Sequence, residues 1–310
     1  MNKNSKIYIA GHRGMVGSAI KRKLEIEGYS NLIFKTREEL DLMDDTLVKE
    51  FFKKEKPEYV FMTAAKVGGI EANRTYPADF IYQNSRISLN VIHNAYLGGV
   101  KKLMYFSSNC AYPRGIKQPM KEEYLMTSTL EPTNEAYSIA KILGTKLCQF
   151  YKQQYGVDFF TVMPCNLYGP FDDFDLKTSH VLTALIRKFY DAKINNDSEV
   201  IVWGSGTPRR EFMYVDDLAD ACVFLMSSKN AGELLNIGVG SDVSILELAE
   251  TIRKIVNYKG KITLDKSKSD GIPRKLLDSG RLIHLGWRPK TTLEEGVKRT
   301  YDWFLENVSK

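Results

Sequence analysis

Ile7-Tyr8-Ile9-Ala10-Gly11-His12-Arg13-Gly14-Met15-Val16-Gly17-Ser18-Ala19-Ile20 is the stretch on which the fold turns. Its first four residues are a short apolar run of the kind a buried parallel strand shows. Three glycines follow at Gly-x-x-Gly-x-x-Gly spacing rather than the better-known Gly-x-Gly-x-x-Gly, leading into a helical pattern through Leu24 and Glu27. Gly11 permits a tight turn, Gly14 lets the backbone approach a pyrophosphate, and Gly17 lets helix and strand pack closely. The helix N-terminus adds unpaired N–H groups and a positive dipole end for phosphates. A glycine triplet alone is a weak signal. Opening a strand–turn–helix unit makes it a strong one.

The next strand, Asn31-Leu32-Ile33-Phe34-Lys35, indicates which dinucleotide is bound. An NAD site places a carboxylate at this strand's end to hold the ribose hydroxyls. Here the end reads Phe34-Lys35-Thr36-Arg37, with no acid before Glu38. Arg37, with Arg13 of the glycine loop, suits a 2′-phosphate instead, because guanidinium groups match phosphate oxygens in charge and fork geometry. The expected cofactor is NADPH/NADP.

Further along, strand and helix patterns alternate. Strands are expected at Tyr59–Thr63, Leu103–Ser107 and Phe159–Met163, and helices near Leu47–Lys54, Asp79–Leu97 and Tyr137–Tyr155. Such alternation predicts an α/β fold, a doubly wound parallel Rossmann sheet with right-handed crossovers. The rhythm breaks at Tyr168-Gly169-Pro170, and Phe171 to Asp175 reads as loop. Beyond it come a helix near Val181–Tyr190, a strand at Val200–Trp203, and helices near Val215–Met226 and Leu246–Val256. The expected division is a cofactor-binding domain over 1–168. Residues 169–310 then form mainly a smaller α+β substrate lobe, with segments returning to the sheet.

Composition suits this architecture. At 310 residues the chain is long enough for one large two-lobed unit or two domains, and 43% hydrophobic with 26% charged residues is ordinary for a globular protein. The formal charge of +6 is mild, and basic residues are scattered or paired with acids, as in Lys53-Lys54-Glu55-Lys56, which argues against a nucleic-acid groove. No apolar stretch is long enough to span a membrane and no signal peptide is visible, so the expected location is cytoplasmic. Cys110, Cys148, Cys165 and Cys222 show no paired metal spacing, nor do the four histidines, and no metal site is expected.

Chemistry enters at Glu135-Ala136-Tyr137-Ser138-Ile139-Ala140-Lys141. Tyr137 and Lys141 are four apart, so on a helix the phenol and the ammonium address one reacting group. A free phenol titrates near pH ~10. A fixed ammonium, joined by a positively charged nicotinamide ring, is expected to favour the phenolate and to let proton transfer accompany hydride transfer. Tyr-x-x-x-Lys alone is common on amphipathic helices. Its place downstream of a nucleotide loop and a Ser-rich strand end, Ser107-Ser108-Asn109-Cys110, gives it meaning.

These residues resemble the extended short-chain dehydrogenase/reductases that act on nucleotide sugars, and within them the epimerase–reductases of GDP-4-keto-6-deoxy-mannose. The resemblance covers nearly the whole chain. It includes Ala10 to Ser18, Ala64-Ala65-Lys66-Val67-Gly68-Gly69-Ile70, Tyr76 to Asn84 and Leu130 to Glu135. It continues through Asn166-Leu167-Tyr168-Gly169-Pro170, Trp203 to Pro208 and Pro273 to Asp278. It implies NADPH-dependent inversion at sugar carbons 3 and 5 and hydride reduction at carbon 4, yielding GDP-L-fucose from a homodimer.

The resemblance also implies site residues. Ser108 would hydrogen-bond the 4-keto oxygen beside Tyr137 and Lys141, with Ser107 as its rival. Asn109 departs from the small hydroxyl residue of the family. Cys110 and His180 would be the acid/base pair of epimerisation, since a thiol and an imidazole can both move protons near neutral pH. Cofactor contacts would run along Gly11, Arg13, Gly14, Met15, Val16 and Gly17, then Arg37, Asp41 and Leu42. They would continue through Ala64 and Ala65, then Pro164, Asn166 and Leu167, with Lys141 and His180 reaching the same ligand. Lys188, Arg210 and Lys275 are candidates for the substrate diphosphate, Trp203 for base or sugar, and Asp270 for a further substrate contact. Arg209, beside Arg210, is a second departure.

Two other readings share these residues. One is a 4-reductase of a GDP-4-keto-6-deoxy sugar, heptoses included, with no epimerisation or an altered pattern. The other is a non-catalytic NADP-binding sensor, against which the intact Ser108, Tyr137 and Lys141 count.

Overall fold

The computed structural model describes residues 1–309 except 177, 230 and 269. The chain begins with Ile7–Ala10 (β1), Met15–Ile26 (α1), Leu32–Ile33 (β2), Asp45–Glu55 (α2), Tyr59–Met62 (β3), Ile70–Thr75 (α3), Pro77–Leu97 (α4) and Lys102–Phe106 (β4). Glu135–Tyr155 (α5), Asp158–Pro164 (β5), Asn166–Tyr168 (β6), Val181–Asn195 (α6) and Glu199–Trp203 (β7) follow. Then come Arg209–Arg210 (β8), Phe212–Tyr214 (β9), Val215–Ser227 (α7), Leu234–Ile237 (β10), Val243–Ser244 (β11) and Ile245–Val256 (α8). Lys261–Asp265 (β12), Arg274–Lys275 (β13), Gly280–His284 (α9) and Leu293–Asn307 (α10) complete it.

Six strands form one parallel sheet in the order β10-β5-β4-β3-β1-β2. The strand order reverses between β1 and β3, and a crevice at such a switch point, outside the carboxyl ends of the strands, is where open α/β sheets bind ligands. Alternation along the strands explains why both faces are covered. Ile7 and Ile9 of β1 join Phe61, Met104, Phe160 and Val162 in a core shared with α1 and α7. Tyr8 and Ala10 point the other way, into a core with Val60, Leu103 and Phe159 that takes residues of α2, α4 and α5. A third core, with Leu182, Phe189, Leu248 and Phe304, belongs to the second half of the chain.

The helices and the main strands fall within a few residues of their expected positions. The second strand is a correction: it spans Leu32–Ile33 rather than five residues. It is the edge strand of the sheet, pairing with β1, and Phe34 leaves the ladder to place its ring 5.2 Å from that of His12. From the second half, α7 packs against α1, and β10 adds to the sheet beside β5. Among the described residues, no helix is long and apolar enough to cross a membrane.

Candidate active site

The glycine loop is fixed by backbone packing. Gly11 has φ +88°, and a Cβ there would come 2.9 Å from the Cα of Ala64. A Cβ at Gly17 would lie 2.2 Å from the Gly11 carbonyl oxygen, closer than any side chain tolerates. Gly14 differs: the nearest protein atom to a Cβ there is 3.6 Å away, so the fold itself leaves that position open. α1 starts immediately afterwards with no side-chain cap and no acid in its first turn. The N–H groups of Met15, Val16 and Gly17 have no intrahelical acceptor, which suits an anion. These features fit a dinucleotide pyrophosphate.

Around this cradle the other expected cofactor residues lie at the carboxyl ends of the strands. Arg13 and Arg37 are both exposed and, among the described residues, neither forms an ion pair. Both act on exposed Glu38: backbone and Thr36 hydrogen bonds hold its carboxyl below the usual range, and the two guanidiniums add to that. Asp41 accepts the Met43 N–H at 2.9 Å, and the Leu42 carbonyl accepts from Asn90 Nδ2 at 3.0 Å. After β3, Ala64 and Ala65 lead to Lys66, whose N–H and carbonyl are both held by buried Asn84, at 2.8 and 3.0 Å. Pro164 ends β5. Asn166 donates its side-chain amide to the Glu211 carbonyl at 2.8 Å, and Leu167 is half-buried.

The reacting groups come from the end of β4 and the start of α5. Past Phe106 the chain runs extended into a short 3-10 turn, Asn109–Ala111, where the Ser108 hydroxyl accepts the Cys110 N–H at 3.2 Å. Ser107, the rival serine, is buried and donates to the Lys141 carbonyl at 3.5 Å. Burial pushes the Tyr137 phenol up. Cys110 and Tyr105 push the same way, and a hydrogen bond from Ser108 pulls it down. The ring packs near that of Phe80 at 6.2 Å, and in the protein chain alone burial is the largest influence on the phenol, opposite in sign to the lowering expected with a nicotinamide ring beside it. Lys141 shows the complementary effect. It is buried, donates to the Phe106 carbonyl at 2.7 Å, lies 5.7 Å from the Tyr137 ring centroid, and is pushed down to about 7 by burial.

Cys110 is half-buried, with its sulphur 3.7 Å from Asn109 Oδ1 and 3.5 Å from Lys275 Nζ. Asn109, the departure from the family pattern, thus packs against the thiol. His180 is the N-cap residue of α6, where its carbonyl accepts the Ala184 N–H. Crowding lowers its imidazole and Asp173 pulls it back up; because the residue as a whole is exposed, solvent tempers the shift. The loop before it touches Gly69, where a Cβ would lie 3.3 Å from the Thr178 carbonyl oxygen.

The expected substrate residues form a continuous line leading away from Cys110. β8 and β13 pair in parallel, setting Arg210 beside Lys275. Burial pulls the Arg210 guanidinium down while Cys110 pushes it up, so it too lies near the thiol. Gly271 approaches Arg210, and neighbouring Asp270 accepts the Ser205 N–H at 2.6 Å. Trp203, 62% exposed, precedes this turn, with Lys188 Nζ 4.9 Å and Lys268 Nζ 5.7 Å from its ring. Lys188 also donates to the Ile201 carbonyl at 3.0 Å. Arg209 points elsewhere, to Asp242 at 2.7 Å and Glu247 at 3.2 Å.

Sequence reasoning missed Glu211. It is fully buried, accepts N–H groups of Gly240 at 2.8 Å and Leu277 at 2.9 Å, and is pushed up to about 7 by burial. Its backbone ties Asn166 on the cofactor side to Lys275 on the substrate side. Only its place next to Arg210 hinted at a role, because nothing local distinguishes it from a solvated acid.

A parallel sheet with a glycine-rich first turn, and a Ser–Tyr–Lys group at its carboxyl edge, define a dinucleotide-dependent α/β enzyme. The chain belongs to the NAD dependent epimerase/dehydratase family, whose pattern matches residues 7–238. It is 55% identical to GDP-L-fucose synthase 1 of Arabidopsis thaliana over 99% of this chain and 95% of that protein. It is 53% identical to GDP-L-fucose synthase of Escherichia coli (strain K12) over 98% of both. Among solved structures, a GDP-D-glycero-L-gluco-heptose synthase from Campylobacter jejuni, crystallised in the presence of NADPH, matches with a TM-score of 0.92. That match has 40% identity over 98% of this chain and 99% of that one.

Proposed function

We propose that this chain is an NADPH-dependent epimerase–reductase that converts GDP-4-keto-6-deoxy-mannose to GDP-L-fucose. One observation carries the reading: Cys110 lies between the reducing group of Ser108, Tyr137 and Lys141 and the cationic line that begins at Lys275 and Arg210. High identity to two GDP-L-fucose synthases supports the substrate. Residues 1–168 would hold the cofactor and 169–310 mainly the sugar nucleotide.

Cys110 and His180 move protons at carbons 3 and 5, which the neighbouring ketone acidifies. Ser108 and Tyr137 address the keto oxygen, stabilising the negative charge that grows there during enolisation and again during reduction. NADPH, when bound, supplies the hydride to carbon 4. Tyr137, held protonated by burial, then donates its proton to the oxygen, and Lys141 keeps two N–H groups beyond its bond to Phe106 for the phenol and a cofactor hydroxyl. Arg210, Lys188 and Trp203 bind the GDP end, with Asp270 ordering the turn after Trp203.

A run in deuterated water tests this. Product NMR should show deuterium at carbons 3 and 5, and Tyr137→Phe should lower NADPH oxidation by about three orders of magnitude or more with cofactor still bound. Reduction without exchange at either carbon would overturn the epimerase reading in favour of a GDP-sugar 4-reductase. The likeness to a GDP-mannoheptose C4 reductase from Campylobacter jejuni, 42% identical with a TM-score of 0.89, is what favours that second reading. A Tyr137→Phe enzyme with normal turnover would remove Tyr137 as the acid and place the chemistry at another site, whereas an unmodified chain that binds NADPH but turns over no substrate would leave the sensor.

We also propose a cytoplasmic homodimer. All four cysteines are free, as suits a reducing compartment. α4 and α5 pack side by side and leave Tyr82, Leu89, Ile139 and Phe150 exposed, apolar surface that a second copy would cover. Light scattering should report a dimer at micromolar concentration; a monomer would dismiss it.

A further inference from the structure

Lys275 has no carboxylate partner among the described residues, and the hydrogen bond its ammonium makes there is to the sulphur of Cys110, at 3.5 Å. Strand pairing holds it in place: β13 lies parallel to β8, and Met120 and Leu277 form a bridge just beyond. A lysine assigned only to a diphosphate needs no contact with the acid/base thiol. We propose that Lys275 is the positioning partner of Cys110, its ammonium orienting the sulphur toward the sugar and stabilising negative charge on it. This rests on the epimerase–reductase reading.

The step it serves balances as follows. The thiolate of Cys110 takes the proton from the carbon beside the ketone. An S–H bond forms and the C–H bond breaks, and its electron pair moves into the enolate, toward the oxygen faced by Ser108 and Tyr137. The carbon regains a proton on its other face from the His180 side, and the thiol returns its own to solvent. Lys275 stays an ammonium throughout. Without it, the groups around the sulphur are the Arg210 guanidinium on β8, the Tyr137 phenol on α5 and the uncharged Asn109 amide. Among these described residues, Arg210 is then the cation left beside the sulphur.

The test reads the thiol directly, without substrate. Cys148, Cys165 and Cys222 are buried, so iodoacetamide should label the folded chain at Cys110, followed by site-resolved mass spectrometry. The thiolate is the nucleophile. Lys275→Met should therefore slow labelling about tenfold or more at pH 7, the gap should close by pH 10, and Lys275→Arg should keep most of the rate. Exchange at carbons 3 and 5 should fall in parallel. If Lys275→Met labels at the unmodified rate, or is slowed equally at both pH values, the proposal is wrong. An unchanged labelling rate with a raised substrate KM would give Lys275 to the diphosphate alone. Labelling of the three buried cysteines would reveal unfolding, and Lys275→Gln then carries the same expectations. Failure of the epimerase reading shows separately, as an unmodified enzyme that exchanges neither carbon.

Discussion

The two sides of the cleft are built from different materials. On the cofactor side the shape is backbone: Gly17 is wedged against the Gly11 carbonyl, Gly11 against Ala64, and the binding groups are N–H groups at the start of α1. On the substrate side it is long side chains, with Arg210 and Lys275 on two-residue strands, and Lys188 and Trp203 on a separate helix and strand. A backbone cradle fails by collision, all at once. A set of charged side chains fails by degrees, one hydrogen bond at a time.

The largest expected effect comes from breaking the backbone side. Gly17→Ala would put a methyl 2.2 Å from a carbonyl oxygen that cannot move without shifting the turn. It should cost several kcal/mol of stability and sharply reduce folded protein. Gly14→Ala sharpens the point, because its methyl meets nothing closer than 3.6 Å. That variant should melt close to the parent yet lose most NADPH affinity, its methyl occupying the pyrophosphate's approach. Thermal melts and a fluorescence titration of NADPH decide it; full affinity in Gly14→Ala would mean the phosphates lie elsewhere.

Charge substitutions should act more gently and on one ligand at a time. Replacing Arg13 and Arg37 with alanine should cut the preference for NADPH over NADH by roughly ten- to a hundredfold, as charged hydrogen bonds to a phosphate are lost. Arg210→Ala should raise the sugar-nucleotide KM by a similar factor and leave NADPH binding nearly alone. Equal affinities of the unmodified protein for the two cofactors would remove the 2′-phosphate assignment. A loss of cofactor affinity in Arg210→Ala would place that arginine in the wrong site.

The same contrast governs what was legible in the sequence. Glycine spacing and apolar runs report backbone geometry locally, so the turn, the sheet and the helices could be read from a few residues each. The short edge strand could not, because whether Phe34 stays in the ladder depends on His12 across the turn. Nor could the meeting of Cys110 with Lys275, which lie 165 positions apart and touch only through their side chains once β13 has paired with β8. Resemblance named the candidate residues of the substrate side. It did not reveal that Arg209 serves Asp242, that Glu211 is buried, or that burial pushes the Tyr137 phenol up.

An effect of opposite sign, which dwindles to the smallest of all as pH rises, lies at the seam between the two sides. Lys141 is pushed down to about 7 by burial, from an ordinary value near 10.5. Between those values the unfolded chain binds more protons than the folded one, so this lysine makes stability rise with pH from about 7 to about 10.5. Below pH 7 its charge is a full penalty, roughly 5 kcal/mol at ~1.36 kcal/mol per unit. Lys141→Met removes the charge and also the bond to the Phe106 carbonyl, a loss of about 1–3 kcal/mol. The net expectation is an inactive variant more stable than its parent by roughly 2–4 kcal/mol at pH 6. That advantage should shrink as pH rises and reverse near pH 10, where the remaining penalty falls below the value of the lost hydrogen bond as the pH nears the lysine's ordinary value of 10.5. Melting the two proteins side by side without cofactor at pH 6 and pH 9.5 measures it. A variant less stable at both values would show that Lys141 is held for structure; the expected result would show it is kept, at a cost in stability, for the chemistry beside Tyr137.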